Sequence, residues 1–296
     1  MRTVMAKPPG LELRDGDRFA LIAGSGRLPV EVAEGLERQG KPPFVIVIEG
    51  EADTEAFRRY DHQVMRLEDA GDVRGLLVRK SVTHAVLAGG IARRPRLGEF
   101  RPSLGLLAAL PRLGLGLARG DDGLLKLLIR HLEAAGIKVV GAHEAVPDLL
   151  AAEGVMTEAK PTKADWRDLR VAYEAALAIG RLDIGQAAIS VHGRVIAVEG
   201  IEGTDGLLER ARSLRSHGRV ASFSRGVLVK CAKPGQELRA DLPTIGPATV
   251  EGAHAAGLVG IGVEAGRSLI LDWPGVMQRA GTLGIFVVGL SGENAS

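Results

Sequence analysis

The sequence predicts an α/β protein of two domains: an N-terminal Rossmann-like domain with a parallel sheet, and a second α/β domain with a mixed sheet. Three observations lead to this fold class. Apolar runs such as residues 19–24 and 44–48 alternate with helix-like segments, which is typical of buried parallel strands. The chain has 40 glycines, as many tight turns between strands and helices require. Its 296 residues favour two domains over one.

The first half of the chain alternates strands with helices. Pro29 falls in the first turn of a predicted helix and Gly40 just after its end, where these residue types favour helix boundaries. We expect a Rossmann-like domain over residues 18–147, preceded by a disordered leader over residues 1–17. The strands are predicted at 19–24, 44–48, 62–67, 84–90 and 137–141, and the helices at 29–39, 69–80 and 120–135.

The second half follows a different pattern. Residues 187–191 and 194–198 are predicted to form a hairpin, because His192-Gly193 supplies a two-residue turn between them. We expect a linker over residues 148–163 and a second domain over residues 164–296, with a loop at 199–205. The other strands are predicted at 227–229, 258–263, 268–271 and 285–288, and the helices at 166–180, 206–216, 248–256 and 274–280.

The composition excludes several classes of protein. Aromatic residues make up 3% of the chain and the formal net charge is +2, which argues against a nucleic-acid-binding protein. Cys231 is the single cysteine, so an intrachain disulfide and a cysteine-cluster metal site are excluded. No uninterrupted apolar run reaches the roughly 20 residues of a membrane-spanning helix. The start of the chain lacks the apolar region of a signal peptide, so we expect a cytoplasmic protein.

Gly24-Ser25-Gly26 follows the first predicted strand and precedes a helix. Glycines at such a turn let the backbone approach a phosphate at the positive end of the helix. Pro29 stands where the third glycine of the dinucleotide pattern would be, so bound NAD or FAD is not expected. A contact with a mononucleotide or phosphate is one interpretation of the motif, and a purely structural turn is the other.

Glu199, Glu202 and Asp205 bring three carboxylates into one predicted loop. Mg²⁺ commonly takes one or two carboxylates together with substrate phosphates, so these side chains are candidate metal ligands. The alternative is that Thr204 or Asp205 caps the following helix and the glutamates are solvated. Asp121-Asp122 presents the same choice between helix capping and an acidic site at the edge of the sheet.

The stretch from residue 230 to residue 247 joins a predicted strand to a predicted helix and is rich in charge. Lys230, Lys233 and Arg239 are candidates for phosphate contacts, and Asp241 is a candidate for binding Mg²⁺ or orienting a water. Loops at the ends of sheet strands are where α/β proteins place their chemistry. The alternative is a surface loop whose charges are solvated.

Two further features have their own interpretations. The leucine- and glycine-rich segment 104–117 is either core or subunit interface, or a groove for acyl chains. His143 and Glu144, at the end of a predicted strand, are the only histidine-containing pair that we single out.

These elements together resemble the LpxI-type UDP-2,3-diacylglucosamine diphosphatases of lipid A synthesis in Gram-negative bacteria. The resemblance spans residues 19–290. Two of its motifs, residues 199–205 and the stretch 227–247, are long enough to be specific. It is carried by residues 22–29 (IAGSGRLP), 120–122 (GDD), 141–144 (GAHE), 199–205 (EGIEGTD), and the stretch from 227–230 (VLVK) through 241–247 (DLPTIGP).

The resemblance implies Mg²⁺-dependent hydrolysis of the pyrophosphate bond in UDP-2,3-diacylglucosamine by a catalytic C-terminal domain, giving UMP and 2,3-diacylglucosamine 1-phosphate (lipid X). The family's important aspartate falls on Asp241. We expect an acylated UDP-sugar substrate, transient contact with the cytoplasmic leaflet of the inner membrane, and no nucleic acid partner. A homodimer is expected, with exchanged domains as one possible form.

For this function Asp241 and Lys230 are the expected catalytic residues, and Asp241, Glu199, Glu202 and Asp205 the expected metal ligands. The expected substrate-binding residues are Gly24, Ser25, Gly26, Leu28, Pro29, Gly89, Gly90, Asp122, Thr204, Lys233, Arg239 and Thr244. Two other functions stay open at this point: a non-catalytic nucleotide-sugar-binding or regulatory protein, and a redox enzyme that uses a dinucleotide. The missing third glycine disfavours the redox enzyme.

Overall fold

The structure is a computed structural model, and it describes residues 11, 14–91, 121–218, 225–234, 237–239 and 241–291. The side chains of residues 121–124 and 127 are outside this description, as is the leucine-rich segment 104–117. The chain divides into two compact units. One comprises Leu149–Gln236 and Leu242–Ser296, and the other comprises Pro9–Asp148 together with Glu237–Asp241.

The N-terminal unit contains a five-stranded parallel sheet, as the fold class predicted. The strand order is β3-β2-β1-β4-β5. Strands β2 and β3 extend the sheet on one side of β1, and β4 and β5 extend it on the other, so the switch point lies between the neighbouring strands β1 and β4. The apolar runs form fully buried strands because helices cover them. The strands are β1 (Phe19–Ala23), β2 (Phe44–Ile48), β3 (His62–Met65), β4 (His84–Ala88) and β5 (Lys138–Val140).

One predicted helix of this unit changes in type, and three short helices (Thr54–Phe57, Ala142–Ala145 and Pro147–Leu149) were not predicted. The helix predicted over residues 69–80 is a 3₁₀ helix, Leu67–Asp72, followed by the short α2 (Val73–Arg79). Asp69, Gly71 and Asp72 favour an α-helix poorly, which accounts for the tighter first turns. The other helices are α1 (Leu28–Arg38), the 3₁₀ helix Thr54–Phe57, α3 (Asp121–Glu133), α4 (Ala142–Ala145) and the 3₁₀ helix Pro147–Leu149.

The C-terminal unit contains a six-stranded mixed sheet in the order β6-β13-β11-β9-β7-β8, beside a small parallel pair of β10 and β12. The strands are β6 (Gly154–Val155), β7 (Ala187–Val191), β8 (Arg194–Val198), β9 (Val227–Lys230), β10 (Thr244–Ile245), β11 (Gly260–Glu264), β12 (Leu269–Ile270) and β13 (Phe286–Leu290). The helices are α5 (Lys163–Arg181), α6 (Gly203–Leu214), α7 (Pro247–Ala255) and α8 (Trp273–Leu283).

Helices cover both faces of this second sheet. Leu169 of α5 packs with Val227 and Val229 on one face. Leu228, which lies between those two valines, packs with α6, α7 and α8 on the other. Alternate residues of a strand point to opposite faces, so an apolar strand in a three-layer unit must be apolar at every position.

Three predicted boundaries change. Residues 14–17 belonged to the predicted disordered leader, yet Lys41 Nζ donates to the carbonyls of Arg14 (2.6 Å) and Asp15 (3.1 Å). The predicted linker contains β6, which pairs antiparallel with β13. Helix α6 begins at Gly203, so Thr204 and Asp205 lie in its first turn and not in a loop.

None of the helices in the described part of the chain is both long and apolar enough to span a bilayer.

Candidate functional site

The loops after β1 and β4 lie side by side at the carboxyl edge of the N-terminal sheet and bond to each other. Ser25 N donates to Gly90 O (2.7 Å), Gly90 N donates to Ser25 O (3.0 Å), and the Ser25 hydroxyl donates to Gly90 O (3.0 Å). A Cβ at Gly24 would overlap Gly90 O, and one at Gly89 would lie 2.5 Å from Ser25 O. Close packing of the two loops therefore accounts for Gly24 and Gly89. Substrate contact by this group of residues stays a prediction.

Helix α1 begins directly after this loop without a side-chain cap. Arg27 occupies the N-cap position and makes no side-chain capping bond. Gly26 is exposed, with φ of 90°, and no heavy atom lies within 4 Å of the position that a Cβ would occupy there. Leu28 is half-buried and Pro29 is buried in the first turn. An uncapped helix N-terminus behind a glycine loop is suited to a phosphate oxygen, so the predicted phosphate contact fits here.

His143 and Glu144 fold back onto the end of β5. The Glu144 carboxylate accepts a hydrogen bond from Gly141 N (2.6 Å), so this acid caps a helical turn. The His143 ring lies so close to Gly141 that a Cβ at that glycine would overlap it. Burial lowers the pKa of His143, and the charge of Glu144 opposes this effect. The His143 Nδ1 is buried and has no hydrogen-bond partner among the described residues.

The segment that carries Asp241 belongs to the same unit as this sheet edge. Arg239 lies at the end of β5, because a Cβ at Gly141 would be 3.2 Å from its Cα. Asp241 is exposed, and its N–H donates to the carbonyl of Glu237 (3.1 Å). The sequence prediction had placed Asp241 in the domain over residues 164–296, whereas its contacts group it with the N-terminal unit.

The Arg239 side chain is engaged by two carboxylates. Its guanidinium donates to both oxygens of Glu237 (2.8 and 3.0 Å) and to Glu133 (2.7 Å). These hydrogen bonds raise the pKa of Arg239, that to Glu237 most strongly. The predicted phosphate ligand is therefore already paired within the protein.

In the C-terminal unit, Lys230 ends β9 at the carboxyl edge of the sheet and is only 6% exposed. Its Nζ donates to Thr244 O (2.9 Å), while the Thr244 hydroxyl donates to Leu242 O (3.0 Å). Lys233 instead forms an ion pair with Asp183 (2.8 Å). Lys230 thus holds a buried amine at a strand end, where α/β proteins place their ligands.

Glu264 was absent from the predicted residues, although it ends β11 beside the end of β9. It is 8% exposed, and its carboxylate accepts hydrogen bonds from Ala232 N (2.9 Å) and Arg267 (3.0 Å). It fixes the chain just after Lys230. The signal that could have found it was an acidic residue that follows the predicted apolar strand 258–263 directly. Burial, reinforced by the charge of Glu264, raises the pKa of the Cys231 thiol, which opposes a nucleophilic role at neutral pH.

Glu199 lies at the same edge, because β8 runs in the same direction as β9. The Glu199 side chain has a structural role, because its buried carboxylate accepts hydrogen bonds from Gln186 N (2.8 Å) and the Thr204 hydroxyl (2.7 Å). Glu202 forms an ion pair with Arg210. Asp205 is exposed in the first turn of α6. The predicted substrate contact of Thr204 therefore competes with a structural bond.

The carboxylates fit a metal ion only in part. In the described ranges, no group of three or more His, Cys, Asp and Glu side chains could hold a metal. Glu199 and Glu202 are engaged in protein contacts, so the acidic stretch does not fit as a Mg²⁺ site. Asp241 does fit as a single protein ligand, since Mg²⁺ often takes one or two carboxylates and otherwise waters and substrate phosphates.

The fold and these strand ends define a class: a two-unit α/β protein with polar groups gathered at the carboxyl ends of parallel strands, where such proteins bind phosphate-containing ligands. The LpxI N-terminal domain model matches residues 18–149, and the LpxI C-terminal domain model matches residues 152–288. The chain is 38% identical over 274 residues to the UDP-2,3-diacylglucosamine pyrophosphatase LpxI of Caulobacter vibrioides, covering 92% of this chain and 97% of that relative. The chain belongs to the LpxI family, which confirms the resemblance found in the sequence.

Proposed function

We propose that the chain hydrolyses the pyrophosphate bond of UDP-2,3-diacylglucosamine in lipid A biosynthesis, giving UMP and 2,3-diacylglucosamine 1-phosphate with Mg²⁺ as cofactor. The observation that carries this proposal is the match over 92% of the chain to a relative named as a pyrophosphatase for that substrate. The two family models support it, because they cover both units.

The strand ends offer groups of the right sign for a pyrophosphate. The N-terminus of α1 has no side-chain cap, so the positive end of the helix dipole is suited to a phosphate oxygen. The buried amine of Lys230 lies at the carboxyl end of the second sheet. We assign these two features to phosphate charge, each within its own unit.

We assign Asp241 to holding Mg²⁺ or orienting the attacking water, because it is an exposed acidic residue at the end of a structured turn. When bound, Mg²⁺ would neutralise charge on the phosphate oxygens. Glu199 is assigned to supporting the edge of the second sheet, since its carboxylate joins Gln186 to Thr204.

The substrate and the lipid product are amphiphiles, so we propose peripheral contact with the cytoplasmic leaflet of the inner membrane. We also propose that the enzyme is a homodimer. Cosedimentation with anionic vesicles and light scattering of the purified chain test these two proposals. The proposed groove for acyl chains over residues 104–117 lies outside the described residues.

The proposal is tested by incubating the purified chain with the diacylated UDP-sugar, with and without EDTA, and identifying the products by mass spectrometry. We expect UMP and the lipid monophosphate in equal amounts, and loss of both in EDTA with recovery on adding Mg²⁺. Binding of the UDP-sugar without any turnover would instead support a non-catalytic nucleotide-sugar-binding protein.

UDP-N-acetylglucosamine is the matched substrate, because it has the same nucleotide and pyrophosphate without the two long acyl chains. We expect it to be hydrolysed poorly. Equal rates on both substrates would contradict recognition of the acyl chains.

A further inference from the structure

We propose that Glu133, Glu237 and Arg239 form a clamp that positions Asp241 at the carboxyl edge of the N-terminal sheet. The inference rests on the proposed function, in which Asp241 takes part in hydrolysis. It assigns Arg239 a different task from the phosphate contact that the sequence predicted. We call these three residues the Arg239 clamp.

The first support is the geometry of the guanidinium. Nε and Nη2 of Arg239 donate to the two oxygens of Glu237 at 2.8 and 3.0 Å, and Nη1 donates to Glu133 at 2.7 Å. Such a bidentate pair fixes orientation as well as distance. Glu133 is the last residue of α3, so the clamp attaches the segment to a helix of the N-terminal unit.

The second support is the backbone that connects the clamp to Asp241. Asp241 N donates to the carbonyl of Glu237 (3.1 Å), which closes a turn with Arg239 at its centre. The Cα of Arg239 lies against Gly141 at the end of β5. Arg239 is thus held at the end of β5. Asp241, two positions later in the chain, is joined to the same segment through its bond to Glu237.

The pairing also opposes a phosphate-binding role for Arg239. Nε, Nη1 and Nη2 of Arg239 each already donate to a carboxylate, so its positive charge is balanced within the protein and is less available to a phosphate. Glu237 has a lowered pKa, chiefly through its hydrogen bond to Arg239 and with a smaller effect of Lys126, so it stays ionised at neutral pH. Removing either carboxylate should therefore help phosphate binding if Arg239 bound phosphate, and should harm catalysis if Arg239 positions Asp241.

The test compares Glu133→Gln, Glu237→Gln and Arg239→Met in the full-length protein, with kcat and KM measured on the diacylated UDP-sugar. We expect each variant to lower kcat by about tenfold or more and to leave KM within about twofold, because a misplaced catalytic group costs rate more than binding. Arg239→Lys keeps the charge without the bidentate geometry, so it should not restore kcat. Arg66→Met is the matched control, since Arg66 forms an ion pair with Glu49 (3.1 Å) in the same unit, and its kcat should be unchanged.

A raised KM in Arg239→Met, together with unchanged kcat in both glutamine variants and rescue by Arg239→Lys, would overturn the proposal and favour phosphate binding. A second measurement does not depend on turnover. Hydrogen exchange of peptides that cover residues 237–243 should be faster in the clamp variants than in the wild type or Arg66→Met. If exchange in the clamp variants equals that in the wild type, the clamp is rejected. If the clamp variants exchange faster but the wild type hydrolyses no substrate, only the proposed function is rejected.

Discussion

A single methyl group added at Gly24 tests how closely the two loops pack at the edge of the N-terminal sheet. In Gly24→Ala the new Cβ would overlap the carbonyl oxygen of Gly90. We expect the free energy of unfolding to fall by about 1–3 kcal/mol, as overpacking of a closely packed site usually costs. Urea denaturation of the purified protein measures this change.

Gly16→Ala provides the control, because no heavy atom lies within 4 Å of the added Cβ there. Its free energy of unfolding should stay within about 0.5 kcal/mol of the wild type. A Gly24→Ala protein as stable as this control would contradict the close approach of the two loops.

Individual residues show what the sequence could predict about the site. It identified Ser25 and Glu199 as polar residues just after strands, where both lie, and Thr204, which lies in the first turn of α6. The bonds of Ser25 to Gly90 and of Glu199 to Gln186 join residues 65 and 13 positions apart, which a local pattern cannot specify. The sequence therefore indicated which polar residues lie near the candidate site, but not which of them bind substrate and which stabilise the fold.

At the scale of elements, the start of α5 contains a buried carboxylate that pairs with the half-exposed Arg225. Asp165 is 1% exposed and accepts hydrogen bonds from Thr162 within a capping box and from Arg225 (3.0 and 2.6 Å). Burial alone would raise the pKa of Asp165, but the hydrogen bonds from Arg225 and Thr162 outweigh it and hold the pKa below its ordinary value of 3.8. A carboxyl with a lowered pKa stabilises the folded state above its unfolded pKa, and this contribution is lost as the pH falls through the folded value.

The pair gives a pH-dependent prediction for Asp165→Asn. At pH 7 the variant should be less stable than the wild type by about 1–3 kcal/mol, because Arg225 loses its charged partner. Below about pH 4 the wild type loses the contribution of Asp165 as well, so the two proteins should converge. Urea unfolding at pH 7 and at intervals down to about pH 2 measures the gap, and a constant gap would contradict the assignment.

Elements also differ in how well the sequence predicts them. The hairpin of β7 and β8 has the predicted bounds, because His192 and Gly193 adopt the positive φ values (57° and 76°) that a two-residue turn needs. Strands β6 and β10 were missed, since two residues show no periodicity. The start of α6 was misplaced because Glu202, at its N-cap, makes no side-chain capping bond.

For the whole molecule, the fold class and family could be predicted because alternation of strands and helices and long motifs are properties of the local sequence. The grouping of Glu237–Asp241 with the N-terminal unit could not. It depends on a bond between Arg239 and Glu133, 106 positions apart, and no local pattern indicates that contact. The role of Asp241 therefore stays a prediction, while its grouping with the N-terminal unit is a finding of the structure.

The most direct test compares turnover of the diacylated UDP-sugar by the wild type and by Asp241→Ala, with circular dichroism and thermal unfolding recorded on both. We predict that the wild type releases UMP and the lipid monophosphate in equal amounts. The variant should lose at least about 100-fold in kcat with its fold intact, as expected for removal of a group that acts on the reacting phosphate. No UMP from the wild type, or near-normal turnover by a folded Asp241→Ala protein, would contradict this account.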